Sequence, residues 1–137
     1  MANDVLIIDD DKGITDLLTM LLKNHGFNTT AANTAADGLE YMKENTPDLI
    51  ILDMIMPNMN GWETCKAIRA VSNVPILILS PLDDPRMIAS ILDAGADDFL
   101  IKPVPSSVLV AHMKKLIRRT GGLEINPLQP IQAQYHD

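Results

Sequence analysis

The sequence predicts an α/β fold in which five parallel strands form one sheet with helices on both faces. Short apolar runs of strand length alternate with segments whose apolar residues recur every three or four positions. This alternation is typical of repeated strand–helix–strand units. Three of the apolar runs end directly on charged residues, at Asp9 and Asp10, at Asp53 and at Lys102. Because ligands of open α/β sheets bind at the carboxyl ends of the strands, these charges are candidates for a functional site.

The first strand and helix have the clearest pattern. Val5–Ile8 is a short apolar run that stops at two acids, which indicates a buried strand. We expect Asp11 to cap the helix that follows, and Gly26 to end it in the left-handed conformation. The residues predicted to face inward on this helix are Ile14, Leu17, Leu18, Leu21 and Leu22.

The second strand and helix have a weaker pattern. Phe27–Ala31 is the predicted strand. Thr34 and Asp37 have the spacing of a capping box, so they mark the start of a helix on which Leu39 and Met42 face inward.

The third and fourth units follow the same rule. Asp48–Asp53 is the third predicted strand, and Asn60 is expected to cap the third helix. Val74–Leu79 is the fourth strand. A fourth helix should end at Gly95. Its predicted inward-facing residues are Met87, Ile88, Ile91 and Leu92.

The fifth unit and the end of the chain complete the pattern. Asp98–Ile101 is the last predicted strand, and the last helix is marked by Leu109, Met113, Leu116 and Ile117. From about Thr120 the periodicity is replaced by glycine, proline and polar residues. We therefore predict one domain over residues 1–120 and a C-terminal tail or linker over 121–137.

Composition limits the class of protein. The 137 residues are 47% apolar, which suffices for one domain with a real core. The formal net charge of −7 argues against direct nucleic acid binding by this segment. Cys65 is the single cysteine, so no intrachain disulfide can form, and we expect it to be a packed helix residue. No signal-type segment or membrane-length apolar run occurs, so we expect a cytoplasmic protein without membrane contact.

The acids at the strand ends need a cation. Two unit charges about 4 Å apart interact with roughly 4 kcal/mol at an effective dielectric of 20, so Asp9, Asp10 and Asp53 would repel one another strongly. Their oxygen-only chemistry favours Mg²⁺, or Mn²⁺, over softer ions. Lys102 adds a fixed positive charge. A carboxylate between a divalent cation and an ammonium group can attack a phosphoryl donor, which gives an aspartyl phosphate.

Five sequence blocks occur together in one order and spacing over residues 4–119. They are Val5–Asp11, Leu52-Asp53, Met56-Pro57 with Gly61, Ser80, and Gly95–Pro103. In this arrangement the chain resembles the receiver domain of two-component response regulators. The resemblance implies a flavodoxin-like fold with strand order 2-1-3-4-5, as in a chemotaxis protein that serves as a standard example of that fold.

The resemblance also implies a metal-dependent phosphoacceptor. Asp53 would accept the phosphoryl group. The metal ligands would be Asp10, Asp53 and the backbone carbonyl of Ile55, with Asp9 acting largely through water. Lys102 would contact the acids and the phosphoryl oxygens, and its bond to Pro103 would be a cis peptide.

A switch and its partners follow from the same resemblance. The Ser80 hydroxyl would move toward the phosphoryl group, and the ring of Phe99 would rotate with it. The output surface would comprise the fourth helix, the fifth strand and the fifth helix. The implied partners are a sensor histidine kinase or phosphotransfer protein and a downstream effector protein or domain. Asp97, Asp98 and Arg119 resemble the charges of receiver homodimers, whereas Ile88 and Val108 replace charges often found there.

Two departures concern the phosphoryl site. Pro81 follows Ser80 where such receivers usually offer a backbone N–H to the phosphoryl group, and proline has no such donor, so we expect weaker binding of the phosphoryl group or a shifted loop. Ile55 and Leu82 flank the site with apolar side chains that cannot position a water molecule. We therefore expect slow self-hydrolysis of the phosphorylated form.

Other functions fit the sequence less well. A haloacid dehalogenase-type phosphatase also uses an Asp nucleophile and Mg²⁺, but it needs an acid two residues later, where this chain has Ile55. An FMN binder of the flavodoxin type would meet repulsion between phosphate and Asp9, Asp10 and Asp11. The regulatory half of a DNA-binding transcription factor, without its output domain, stays open as an alternative.

Overall fold

Five parallel strands form the central sheet of the computed structural model, which describes residues 3–53, 55–56 and 59–119. The described residues contain seven strands in all: β1 (Asp4–Ile8), β2 (Asn28–Ala32), β3 (Leu49–Asp53), β4 (Ile55–Met56), β5 (Met59–Asn60), β6 (Ile76–Ser80) and β7 (Asp98–Ile101). The helices are α1 (Lys12–Asn24), α2 (Ala35–Met42), α3 (Gly61–Arg69), α4 (Pro85–Asp93) and α5 (Ser106–Arg119). The sheet order is β2-β1-β3-β6-β7, while β4 and β5 form a separate antiparallel pair. Counted within the main sheet, this is the predicted order 2-1-3-4-5.

The central strands are buried on both faces, which explains their continuous apolar runs. Alternate side chains of β1, β3 and β6 point to opposite faces of the sheet. One set packs with Cys65 and Ile68 of α3 and Ile91 of α4, and the other packs with Leu22 of α1 and Met113 of α5. Helices therefore cover both faces, as predicted, and Cys65 is the packed helix residue expected from the sequence.

Most of the predicted helix ends are confirmed. Asp11, Thr34 and Asn60 accept hydrogen bonds from backbone N–H groups in the first turns of α1, α2 and α3. Gly26 and Gly95 adopt φ angles of +88° and +121° after α1 and α4. These angles lie in the region that favours glycine, so each residue lets the chain turn back toward the next strand.

Some predicted boundaries and faces were wrong. The second strand spans Asn28–Ala32 instead of Phe27–Ala31, and the fourth spans Ile76–Ser80 instead of Val74–Leu79. Leu17 and Leu92 are 62% and 39% exposed, although their spacing predicted inward positions. A helix contacts the sheet along a limited stripe, so apolar residues at the edge of a wider stripe stay in contact with solvent.

Two acids that resemble dimer charges have partners within this chain. Asp97 lies 2.7 Å from the Arg69 guanidinium and also accepts a hydrogen bond from the Ile76 N–H. Asp98 lies 2.6 Å from His112 Nδ1. These acids therefore tie β7 to α3 and to α5.

Two sequence-based expectations are limited by the described range. The tail over residues 121–137 lies outside the described residues. Within residues 3–53, 55–56 and 59–119, no helix is long and apolar enough to cross a bilayer.

Candidate functional site

The sheet register brings the charged strand ends together. Ile8 pairs with Leu52, so Asp9 and Asp53 follow adjacent residues of neighbouring strands. Asp53 pairs with Leu79, and Ser80 pairs with Ile101. The carboxyl ends of β1, β3, β6 and β7 thus present Asp9, Asp53, Ser80 and Lys102 along one edge of the sheet, as the sequence predicted.

Lys102 and Asp53 form the central ion pair of this edge. The Lys102 ammonium nitrogen lies 3.0 Å from Asp53 Oδ2. The Asp53 residue is only 7% exposed, whereas the Lys102 side chain is 28% exposed. Burial of this kind strengthens the attraction of opposite charges relative to water. The bond between Lys102 and Pro103 is cis, as the resemblance implied.

Asp9 is a buried acid that faces the same pair. Its residue is 2% exposed, and its pKa is raised from 3.8 to about 7. Loss of hydration on burial is the largest cause, and the hydrogen bond and negative charge of Asp53 raise the pKa further. The N–H of Asp11, 3.0 Å from Asp9 Oδ1, and the charge of Lys102 oppose the rise. Asp9 and Asp53 therefore share a site that disfavours two full negative charges.

Asp9 makes the stability of the folded protein depend on pH. Between pH 3.8 and about pH 7 the folded state binds a proton that the unfolded chain releases. The contribution to stability is therefore full below the lower value, falls as the pH rises through this window and is lost above it. At about pH 8 without Mg²⁺, we expect Asp9→Asn to raise the free energy of unfolding by about 2 kcal/mol, measured by urea denaturation.

The matched control for this pH prediction is Asp37→Asn on the exposed surface of α2. That variant should follow the pH profile of the unsubstituted protein. If Asp9→Asn showed the same fall in stability between about pH 4 and pH 7 as the unsubstituted protein, burial of the Asp9 charge would not be its cause.

Ser80 closes the site from β6. The residue is fully buried at 0% exposure. Its hydroxyl oxygen accepts a hydrogen bond from the Leu82 N–H at 3.1 Å, and its carbonyl accepts one from the Lys102 N–H at 2.8 Å. Since the Leu82 contact uses an oxygen lone pair, the hydroxyl proton can be donated to another acceptor.

The remaining predicted site residues are located by their place in the chain and by the sheet register. Asp10 is partly buried and follows Asp9 directly. Ile55 begins β4, two residues after Asp53, and only its backbone is among the parts of the chain that the structure describes. Phe99 in β7 pairs with Ile78 and packs, partly buried, against the core on the α3 and α4 side.

The donor set of the site fits Mg²⁺. Among the side chains that the structure describes, no three of His, Cys, Asp and Glu form a ready metal cage. Mg²⁺ does not need one, because it is typically held by one or two carboxylates together with waters. The adjoining carboxyl groups of Asp9 and Asp53, and the raised pKa of Asp9, indicate a place where an added cation would be favourable.

The sequence reasoning did not identify Asn33 and Thr15. The Asn33 side-chain amide donates hydrogen bonds to the Asp9 carbonyl at 2.7 Å and to the Thr15 hydroxyl at 3.2 Å. Thr15 is 1% exposed and donates to the Lys12 carbonyl at 3.1 Å. The available signal was the position of Asn33 directly after β2, the neighbour of β1 in the predicted sheet order.

Comparison with known proteins identifies the family. The sequence model of the response regulator receiver domain matches residues 5–114. The chain belongs to the response regulator receiver family. It is thus a receiver domain of two-component response regulators, a class that generally binds Mg²⁺ and receives its signal from histidine kinases.

Similar receivers come from several bacteria. The DNA-binding response regulator MtrA of Mycobacterium tuberculosis is 36% identical over 119 residues, which are 87% of this chain and 52% of that protein. The transcriptional regulatory protein AfsQ1 of Streptomyces coelicolor is 36% identical over 115 residues, 84% of this chain and 51% of that protein. The chain therefore spans about half the length of the curated relatives it matches.

Solved receiver structures agree with the fold. A two-component response regulator from Clostridium difficile has a TM-score of 0.81 at 33% identity. The alignment covers 85% of this chain and 97% of the chain of that structure. The receiver domain of a signal transduction histidine kinase from Syntrophus aciditrophicus has a TM-score of 0.80 at 30% identity, over 94% of this chain and 100% of its own.

Proposed function

We propose that this receiver is a phosphorylation-controlled switch in which Asp53 accepts a phosphoryl group from a histidine kinase or phosphotransfer protein. The observation that supports this role is that the Asp53 carboxylate pairs with the Lys102 ammonium group and also interacts with the Asp9 carboxyl group at the edge of the sheet. In the transfer, an Asp53 oxygen forms a bond to phosphorus while the P–N bond of the donor phosphohistidine breaks. The donor imidazole keeps the electron pair of that bond.

The acids of this edge would hold the metal. We assign Asp10, Asp53 and the Ile55 carbonyl as direct ligands and Asp9 as an acid that acts through water. When bound, Mg²⁺ or Mn²⁺ would neutralise the acids and polarise the phosphoryl oxygens. Lys102 contributes a second positive charge, and its partly buried ammonium group would stabilise the charge that develops on those oxygens.

Ser80 and Phe99 would carry the signal to the surface. Phosphorylation adds a charge of about −1.5 to −2. The Ser80 hydroxyl can donate a hydrogen bond to the phosphoryl group, and the Lys102 ammonium group can pair with its charge. One charge-linked hydrogen bond is worth about 1.5 to 3 kcal/mol, whereas a shift from 1:99 to 99:1 needs about 5.5 kcal/mol. The Ser80 contact alone would thus shift the population partly. A downstream partner that binds the face formed by α4, β7 and α5 would complete the shift.

A DNA-binding output is the second candidate. The relatives MtrA and AfsQ1 are named as a DNA-binding response regulator and a transcriptional regulatory protein, and each is about twice as long as the matched segment. We propose that residues 1–120 form the receiver and residues 121–137 a linker, in a cytoplasmic protein. Because this segment has a net charge of −7, DNA phosphates would repel it, so any contact with DNA would be made by an output domain. A homodimer through the α4, β7 and α5 face is compatible with such a regulator.

The test of this function is phosphorylation by acetyl phosphate, followed by intact mass. With Mg²⁺ present we expect a mass gain of one phosphoryl group, and with the metal chelated we expect almost none. Loss of the gain in mild alkali or hydroxylamine would identify an acyl phosphate. If the same mass gain appeared without a divalent metal, or survived those treatments, the proposed aspartyl phosphate switch would be wrong.

Pro81 should shorten the life of the phosphoryl group. It supplies no N–H to a phosphoryl oxygen, and the N–H of Leu82 is already donated to Ser80 Oγ. We expect the unsubstituted protein to hold the phosphoryl group for longer than seconds, because Leu82 is an apolar, 42% exposed neighbour of the site. Pro81→Ala adds one charge-linked donor and should lengthen the half-life about tenfold, measured by loss of the phosphorylated mass with time.

Pro105→Ala is the control for the Pro81 substitution. Pro105 precedes α5, and its carbonyl accepts hydrogen bonds from Val108 and Leu109, whereas the Ser80 carbonyl accepts one from Lys102. This variant should keep the half-life of the unsubstituted protein. An equal half-life in Pro81→Ala would show that no donor is missing at position 81.

A further inference from the structure

We propose that Asn33 is a positioning residue for the metal and phosphoryl chemistry, acting through the backbone carbonyl of Asp9. This inference rests on the proposed function, in which the acids after β1 hold the metal. Asn33 itself directly follows β2 and belongs to none of the ligand groups assigned above. Its side chain reaches across to the neighbouring strand, so its effect on the site is indirect.

The contact fixes the peptide group between the two acids. Asn33 Nδ2 lies 2.7 Å from the Asp9 carbonyl oxygen. The peptide bond is planar, so the carbonyl of Asp9 and the N–H of Asp10 belong to one rigid unit. Holding this carbonyl therefore limits the rotation of the peptide group that leads into Asp10, and with it the position of the Asp10 backbone.

The second hydrogen bond of the same amide orients Asn33. Its nitrogen also donates to the Thr15 hydroxyl at 3.2 Å, and that hydroxyl donates to the Lys12 carbonyl at 3.1 Å. Thr15 is 1% exposed, so its hydroxyl is held in a fixed environment. The network joins the end of β2, the end of β1 and the first turn of α1. Because both amide protons have acceptors, the Asn33 side chain is held in one orientation.

Two further hydrogen bonds hold the segment between β1 and α1, which contains Asp9. The Asp9 N–H donates to the Ala32 carbonyl at 3.1 Å, and the Asp9 carboxylate accepts the Asp11 N–H at 3.0 Å. The first contact fixes the position of the Asp9 backbone nitrogen, and the second fixes the orientation of the Asp9 carboxylate. The Asn33 contact adds control of the next peptide, which carries Asp10. Polar groups that orient ligands in this way typically change metal affinity about 10- to 100-fold when they are removed.

The experiment compares Asn33→Ala with Asn45→Ala by titration of each protein with Mg²⁺ in a calorimeter. Asn45 is the matched control, because its side-chain amide also donates to a backbone carbonyl, that of Tyr41, at 2.9 Å in an exposed position just after the C-terminal end of α2. We expect the Mg²⁺ Kd to rise about 10-fold in Asn33→Ala and to stay within twofold in Asn45→Ala. The rate of phosphorylation by acetyl phosphate at subsaturating Mg²⁺ should fall by a similar factor and recover as Mg²⁺ is raised.

Two further variants separate positioning from stability. Thr15→Val removes the hydroxyl but leaves the Asp9 contact, so its Kd should rise only about twofold. Asn33→Gln keeps the amide but displaces it by one methylene group. If urea denaturation without Mg²⁺ shows that Asn33→Ala is not folded, Asn33→Gln takes its place in the comparison. A Kd within twofold of the unsubstituted protein in a folded Asn33 variant would overturn the proposal. Failure of the unsubstituted protein to bind Mg²⁺ would overturn the proposed function itself.

Discussion

Replacing Asp53 with Asn is expected to abolish phosphoryl transfer to the protein. The amide is nearly the same shape as the carboxyl group but is a far weaker nucleophile, and it carries no charge to hold a divalent cation. Incubation with acetyl phosphate and Mg²⁺ should then give no gain in intact mass, while the unsubstituted protein gains one phosphoryl group. The fold should survive, because the substitution also relieves the repulsion between Asp53 and Asp9.

Asp48→Asn is the matched control for this loss. Asp48 precedes β3, at the opposite end of the strand that Asp53 ends, where its carboxylate accepts the Asp4 N–H at 2.8 Å. The substitution is chemically identical but lies away from Lys102 and Asp9. It should leave the mass gain unchanged. A full mass gain in Asp53→Asn would mean that another group accepts the phosphoryl group.

The position of the site was predictable because the sheet has a simple geometry. Parallel strands buried on both faces give continuous apolar runs, and their carboxyl ends lie at one edge. Asp9, Asp53 and Lys102 each end such a run, so their proximity followed once the strands were recognised. The strand order came from the family resemblance, because alternating strands and helices are compatible with several orders.

Other features depend on contacts that no spacing specifies. Asn33 lies 24 residues from Asp9, and Arg69 lies 28 residues from Asp97, and nothing in the local pattern pairs them. Leu17 has the spacing of a core residue, yet α1 contacts the sheet along a stripe that leaves this side chain outside. Polar partners and the limits of a packed face are decided by tertiary geometry, which a single sequence expresses only weakly.

The site contains two acids, Asp9 and Asp53, whose simultaneous ionisation is unfavourable. Burial and the charge of Asp53 favour the protonated form of Asp9, whereas the Lys102 ammonium group favours the ionised form. Loss of that proton above about pH 7 leaves a cluster with more negative charge than Lys102 can offset. Metal binding should therefore strengthen as the pH rises through this value, because ionised Asp9 adds a negative charge next to the cation.

Replacing Lys102 with Met should damage both the chemistry and the folded state. The ammonium group lies 3.0 Å from Asp53 Oδ2, and methionine keeps an unbranched side chain of similar length without the charge. Loss of one charge that stabilises transferring oxygens typically costs about 100- to 1,000-fold in rate. We expect a fall of about that size in the rate of phosphorylation by acetyl phosphate at saturating Mg²⁺. At about pH 8 without Mg²⁺, the free energy of unfolding should fall by about 2 kcal/mol, since the buried acids lose their counter-ion.

Lys12→Met is the matched control for the Lys102 substitution. Lys12 also lies 3.0 Å from an acid, Asp16, but the two side chains are 77% and 64% exposed on α1. Such surface pairs contribute less than about 1 kcal/mol, so this variant should keep the stability and the phosphorylation rate. In the double variant Asp53→Asn, Lys102→Met, the stability loss due to Lys102 should shrink, because the carboxylate it neutralises is gone. An undiminished loss there, or a phosphorylation rate in Lys102→Met within about threefold of the unsubstituted protein, would show that Lys102 does not act on Asp53.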